Sequence, residues 1–160
     1  MRIYLVKGED WRPLATSSSA FLQAYVTLAD DRSVRVRIID DERAKLTIKI
    51  GGNLFSRDEF EYDIPLQDAR DIAAQAVGVV LEKTRYLVPH EGHVWEVDVF
   101  AGVYSGLVVA EVELENEETA PPLPAWAGRD VTGDRHYSNA VMATEDLSGD
   151  IAGGVSSEGP

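Results

Sequence analysis

The 160-residue chain reads as a mainly β (α+β) protein, an eight-stranded antiparallel closed β-barrel with a few flanking helices. Three observations predict it. Most segments alternate apolar and polar residues with period two. Turn residues punctuate them at short intervals. One side of almost every strand carries charges two residues apart, where an ordinary half-buried strand carries a mixture of Ser, Thr, Lys, Gln and Asn.

Taken in order, the alternating segments span 3–6, 18–28, 33–40, 44–50, 59–64, 83–88, 93–101 and 107–115. The separating turns are Ala29-Asp30-Asp31, Asp40-Asp41-Glu42, Gly51-Gly52-Asn53, Pro89-His90-Glu91-Gly92 and Tyr104-Ser105-Gly106. One helix is clear at 69–80, where Ala, Ile and Val recur at helical spacing behind Pro65, Gln67 and Asp68, with Asp68 placed to cap it. Fainter helical signals lie at 124–128 and 140–147. There is no internal repeat. Residues 1–144 form one domain, and residues 145–160, rich in Gly, Ser, Asp and Glu, form a disordered acidic tail.

Composition removes several classes of function. The chain has no cysteine, which excludes disulfides, zinc–thiolate sites and thiol catalysis and fits a cytoplasmic location. No apolar run approaches the roughly 18 residues a membrane helix needs, and no basic stretch leads into an apolar secretory segment, so no membrane partner is expected. A net charge of -13, from 28 acidic and 15 basic residues, argues against a nucleic-acid partner. The domain is read as a monomer or homodimer. The acidic balance does not bear on small anions, because a pocket can be basic inside an acidic protein.

The location of the basic residues is therefore the informative quantity. Arg35 and Arg37 share a face opposite Val34, Val36 and Ile38. Lys45, Thr47 and Lys49 oppose Leu46, Ile48 and Ile50; Arg57, Glu59 and Glu61 oppose Phe60 and Tyr62. Lys83 and Arg85 oppose Thr84 and Tyr86; Glu96 and Asp98 oppose Trp95, Val97 and Val99; Glu111, Glu113 and Glu115 oppose Val112 and Leu114. Solvated outer faces would intersperse the signs. Here they are grouped by strand, as a site for a metal–polyphosphate complex needs: cations for phosphate oxygens, carboxylates for Mg2+ or Mn2+. The reading is an inverted barrel, with charges lining a water-filled tunnel and apolar faces outward, partly covered by the 69–80 helix and the C-terminal segments.

Several of these runs resemble the CYTH superfamily, the triphosphate tunnel metalloenzymes. They are Val34-Arg35-Val36-Arg37-Ile38, Leu46-Thr47-Ile48-Lys49, Arg57-Asp58-Glu59-Phe60-Glu61-Tyr62, Glu82-Lys83-Thr84-Arg85-Tyr86, Trp95-Glu96-Val97-Asp98-Val99-Phe100 and Glu111-Val112-Glu113-Leu114. Gln23-Ala24-Tyr25 resembles that family's second-strand Gln-Gly-Tyr, and 128–139 resembles its C-terminal signature. The resemblance implies an eight-stranded tunnel, a triphosphate-containing substrate, and Mg2+ or Mn2+. It implies that Arg35, Arg37, Lys49, Arg57, Lys83 and Arg85 bind phosphates. Glu111 and Glu113 would hold metal with Asp98 beside them, and Glu59 and Glu61 would position water or a second metal, Glu59, Glu61 and Lys83 forming the catalytic set.

The chain departs from the family's opening Glu-x-Glu-x-Lys. Aligned on Tyr4-Leu5-Val6, Met1 falls on the second Glu and Ile3 on the Lys. Arg2 can replace that Lys only through a one-residue slip, which would flip the strand's faces. Either the true start lies upstream and the strand diverges, or these groups are lost. Three functions follow: a metal-dependent triphosphatase, with inorganic triphosphate favoured because no pocket for an organic moiety is evident; an adenylate cyclase of the class IV type acting on ATP; and a polyphosphate or nucleotide binder without turnover. His90 and His93 flank a turn and lack a third ligand, and Trp11, Trp95 and Trp126 read as outer-face packing.

Overall fold

Runs of β-branched residues interleaved with charged ones hold the backbone extended and give each strand two chemically distinct sides. A computed structural model describes residues 1–51, 58–115 and 120–145 of the chain. Its strands are β1 (Arg2–Val6), β2 (Ser17–Ala29), β3 (Arg32–Ile39), β4 (Arg43–Ile50), β5 (Asp58–Ile64), β6 (Val77–His90), β7 (His93–Ala101), β8 (Val108–Val112) and β9 (Ala127–Asp130). Helix α1 (Leu66–Ala73) joins β5 to β6, and α2 (Asn139–Glu145) follows β9. All strands belong to one antiparallel sheet in the order β5-β4-β3-β2-β6-β7-β8-β1-β9.

The turns follow local chemistry. Asp40 and Asp41 adopt φ of 53° and 55° between β3 and β4, a left-handed conformation that a short polar side chain tolerates. Glu91 and Gly92 do the same at 45° and 83° between β6 and β7. These tight hairpins fix the register of the central strands.

The structure corrects the expected architecture at several points. The sheet has nine strands, not eight, and among the described residues no ladder joins β5 to β9, so it is not a closed barrel. The additional strand, β9, arises where a short helix was read at 124–128; its backbone pairs with β1 instead. The helix read over 69–80 spans Leu66–Ala73, starts from Pro65, and takes no cap bond from Asp68, which lies in its first turn. Val77, Val79 and Val80 are β-branched and enter β6, with Gly78 at φ 71° marking the change. β8 ends at Val112, so Glu113 lies beyond it and is exposed. The tail expected over 145–160 lies outside the described residues from 146 onward.

Apolar clusters pack on both sides of the sheet. On the outer side, α1 brings Ala69 and Leu66 onto Ile38, Ala44, Leu22 and Ile64. Farther along that side, Trp11 and Trp126 cover Tyr4, Val88, Trp95, Val97, Ala110 and Val112, with the Trp95 and Trp126 rings 5.6 Å apart. The charged side is not an open channel throughout. Leu5, Leu81, Phe100 and Val109 share it with the charges, and Val131, Tyr137, Met142 and Ala143 pack over them. The C-terminal segments were expected outside; α2 instead fills one end of the charged side, and Tyr104 Oη donates to the Met142 carbonyl. Among the described residues no helix is long and apolar enough to cross a membrane.

Gly78 shows how tightly α2 is seated. A Cβ there would overlap the Ala143 carbonyl, and the positive φ disfavours any other residue. Gly78→Ala is therefore expected to lose more than about 1 kcal/mol of stability, read from urea unfolding midpoints. An unchanged midpoint would show that α2 is not docked against β6.

Candidate functional site

Residues directly opposite each other on neighbouring strands share a face of the sheet. The observed register links the charged positions into one band by this rule. Glu59 lies opposite Lys49 and Glu61 opposite Thr47. Thr47 lies opposite Arg35, and Lys45 opposite Arg37. Arg37 then faces Gln23, Phe21 faces Lys83, and Arg85 faces Asp98. Glu96 faces Glu111, and Glu111 faces Ile3. Cations cluster on β3, β4 and β6, and carboxylates on β7 and β8.

The middle of the band is buried. Lys83 is 3% exposed and Asp98 is 0% exposed. Lys83 Nζ donates to Asp98 Oδ2 at 2.7 Å. Arg85 forks onto the same carboxylate, with Nε on Oδ1 at 2.8 Å and Nη2 on Oδ2 at 2.9 Å, and its Nη1 donates to Glu96 at 2.9 Å. Burial pushes the Asp98 carboxyl up, but Lys83 and Arg85 outweigh it and hold it below the usual carboxylate range. Burial also pulls the Lys83 ammonium down, and the neighbouring Arg85 adds to this. Asp98 favours the charged ammonium of Lys83 but does not outweigh burial.

Next to this cluster stand cations with far less compensation. Arg35 is 8% exposed; its Nη2 donates to Thr47 Oγ1 at 3.4 Å, and its buried Nε has no hydrogen-bond partner among the described residues. Arg37 Nε donates to Gln23 Oε1 at 2.7 Å. Among the described residues neither guanidinium forms an ion pair. Burial, then repulsion from Arg35 and Arg85, lowers the Arg37 pKa to about 10, which still leaves it charged at neutral pH. Enclosed cations of one sign without a counter-ion form a site for an anion.

The remaining expected residues fall as follows. Lys49 is half-buried on the band; Glu59 and Glu61 are exposed on edge strand β5, Glu61 accepting from Thr47 Oγ1 at 3.2 Å. Arg57 lies outside the described residues. Of the expected metal set, Asp98 has both oxygens engaged by cations and Glu113 lies past the strand end, so the three do not meet. Among the described residues no group of three or more carboxylate or His side chains stands close enough to hold a metal ion. The donor chemistry nonetheless fits a hard divalent cation. Glu96 and Glu111 lie side by side, and burial, then Asp98, raises the Glu111 carboxyl. Arg85 Nη2 approaches Glu111 to only 3.8 Å, so the carboxylates outnumber the local positive charge.

The register also resolves the first strand. Ile3 occupies the charged side opposite Glu111, while Arg2 points to the other side, 3.7 Å from Asp130. No one-residue slip occurs, and Arg2 does not stand in for a phosphate-binding Lys. Two residues went unread in the site: Glu96, noted on its face but given no role, and Phe21, whose signal was an aromatic at the polar parity of Ser17, Ser19 and Gln23.

Comparison with known proteins shows the family of the chain. Residues 2–140 match the CYTH domain family. The chain is 41% identical over 140 residues to an inorganic triphosphatase of Acetivibrio thermocellus, covering 87% of this chain and 88% of that protein. It is 36% identical over 126 residues to an inorganic triphosphatase of Nitrosomonas europaea, covering 76% and 82%. A crystal structure of an inorganic triphosphatase aligns with a TM-score of 0.70 at 30% identity over 90% of this chain and 96% of that one. A Pyrococcus horikoshii protein, at 16% identity and a TM-score of 0.54 over 74% and 82%, shares the fold.

The buried cluster makes a prediction about stability. Asp98→Asn leaves Lys83 without its counter-charge and is expected to cost about 3–5 kcal/mol at neutral pH, read from urea unfolding in EDTA. The Asp98 pKa is lowered in the folded state, so its stabilisation is present above the unfolded value of 3.8 and is lost as pH falls through the folded one. Asp98→Asn should remove that acid limb. An unchanged acid limb would rule out Asp98 as its source.

Proposed function

Because the chain belongs to the CYTH domain family, we propose that it is a metal-dependent hydrolase of triphosphate-containing substrates, with inorganic triphosphate the preferred one. The observation that carries this reading is the pair Arg35 and Arg37, enclosed and without an ion-pair partner among the described residues, in a chain of net charge -13. A buried cation without a counter-ion is unfavourable, and a polyanion relieves it. The two triphosphatase relatives described above align over most of their length, which supports the same substrate class.

In this reading Arg35, Arg37, Lys49, Lys83 and Arg85 neutralise successive phosphates along the charged side of the sheet. Glu96 and Glu111, directly opposite each other, would hold the divalent cation, Mg2+ or Mn2+, joined by Asp98 where its cations release it. When bound, that cation withdraws charge from the terminal phosphoryl group. Lys83 and Arg85 must exchange part of their bonding to Asp98 for phosphate oxygens, a step that frees the carboxylate. Glu59, exposed at the start of β5, orients the attacking water, and Glu61 fixes Thr47 and through it Arg35. Positioning and charge neutralisation provide the catalysis, with no covalent intermediate.

A second reading, a polyphosphate binder without turnover, draws on one observation. Ile3 occupies the position facing Glu111 where the family pattern has Lys, and Arg2 faces away.

The test is release of phosphate from inorganic triphosphate with Mg2+ or Mn2+, run beside cyclic AMP formation from ATP. Phosphate release without cyclic AMP is expected. Binding without product selects the second reading, and no binding of either compound sinks both. Arg35→Ala and Arg37→Ala should each raise KM for triphosphate about tenfold or more, through loss of charge-assisted hydrogen bonds.

A further inference from the structure

Phe21 stands on the charged band without carrying a charge. On β2 it lies opposite Lys83 of β6 and opposite Ile39 of β3. Its ring centroid is 4.3 Å from the guanidinium carbon of Arg37 and 5.3 Å from that of Arg85. These two cations come from the strands on either side of β2 and are each tethered away from the ring. Arg37 is held through Nε by Gln23, which is itself fully buried, and Arg85 is held by Asp98 and Glu96.

Both cations approach the same ring, so the residue at this position decides what each of them meets there. A carboxylate in that place would neutralise both guanidiniums and compete with any anionic substrate. An aliphatic side chain would fill the space and attract neither. An aromatic ring draws both cations through its quadrupole and takes none of their N–H donors. Arg37 therefore keeps its Nη donors, and Arg85 keeps two of the five N–H groups a guanidinium carries, since three are used by Asp98 and Glu96.

We propose that Phe21 is a positioning residue: an uncharged spacer that sets the separation and orientation at which Arg37 and Arg85 meet neighbouring phosphate groups of one substrate. The inference rests on the triphosphate reading above and adds a residue to that same site. Repulsion from Arg85 contributes to the depressed Arg37 pKa, as expected of two guanidiniums gathered at one ring.

The test compares Phe21→Leu, Phe21→Met and Phe21→Tyr with the wild-type chain. Steady-state hydrolysis of inorganic triphosphate with Mg2+ gives KM and kcat. Calorimetric titration of inorganic triphosphate in EDTA gives affinity without turnover. Proton–nitrogen spectra of the arginine Nε–H groups report the ring current on Arg37. The expected result for Phe21→Leu is a five- to tenfold rise in KM, about the size of one lost cation–π contact, with kcat changed less than about twofold. The Arg37 Nε–H signal should lose its ring-current shift, and Phe21→Tyr, which keeps the ring, should restore both affinity and shift. Phe21→Met replaces Phe21→Leu if the latter does not fold. A lowered unfolding midpoint with KM and the Arg37 signal unmoved would assign Phe21 to packing alone and overturn the proposal. If the wild-type chain binds triphosphate but releases no phosphate, the hydrolase reading fails, and the calorimetric affinities of the same variants still decide for or against Phe21. If the wild-type chain does not bind triphosphate, both fall.

Discussion

One carboxylate shared by two enclosed cations holds the centre of this protein together. Asp98 has no solvent exposure, yet it accepts from Lys83 and from Nε and Nη2 of Arg85. Charges this far from water persist only when each is compensated. The strands that supply them, β6 and β7, therefore cannot slip past one another without exposing an unpaired ion to an apolar surrounding. The hairpin turn at Glu91 and Gly92 sets the same register locally. Local geometry and long-range electrostatics thus impose one alignment.

Around that fixed point the sheet separates two kinds of burial. On the outer side, Trp, Val and Ile side chains exclude water under α1 and the segments carrying Trp11 and Trp126. On the charged side, α2 and Tyr137 fill one end, while the arginines of β3 occupy the rest with incomplete compensation. A protein is stable with such a face only because the apolar side and the α2 cluster provide the hydrophobic stabilisation. The uncompensated charge is then available to bind a ligand.

Much of the site was legible because strand parity is a local property. Arg35 with Arg37, Lys83 with Arg85 and Glu96 with Asp98 each fall on one side by covalent geometry alone, whatever the rest of the chain does. Grouping of sign by strand was equally visible. The departure at Ile3 could be seen, but its consequence could not. Whether Arg2 or Ile3 faces Glu111 depends on how β1 pairs with a strand more than a hundred residues away. Glu113 was overassigned because alternation continues past the residue at which β8 loses its partner.

The sequence by itself determined the alternation, the hairpin turns, the two chemically distinct faces and the likeness to a known family, since each is written in residues close together along the chain. Only the tertiary structure decided that β5 and β9 are the edges of the sheet among the described residues, that residues 127–130 form a strand, and that α2 packs on the charged side. It also decided which cations share Asp98 and which flank Phe21. Those outcomes depend on contacts between distant segments, where backbone pairing and burial override the helical preference of short stretches and where the competition of several cations for one carboxylate is resolved.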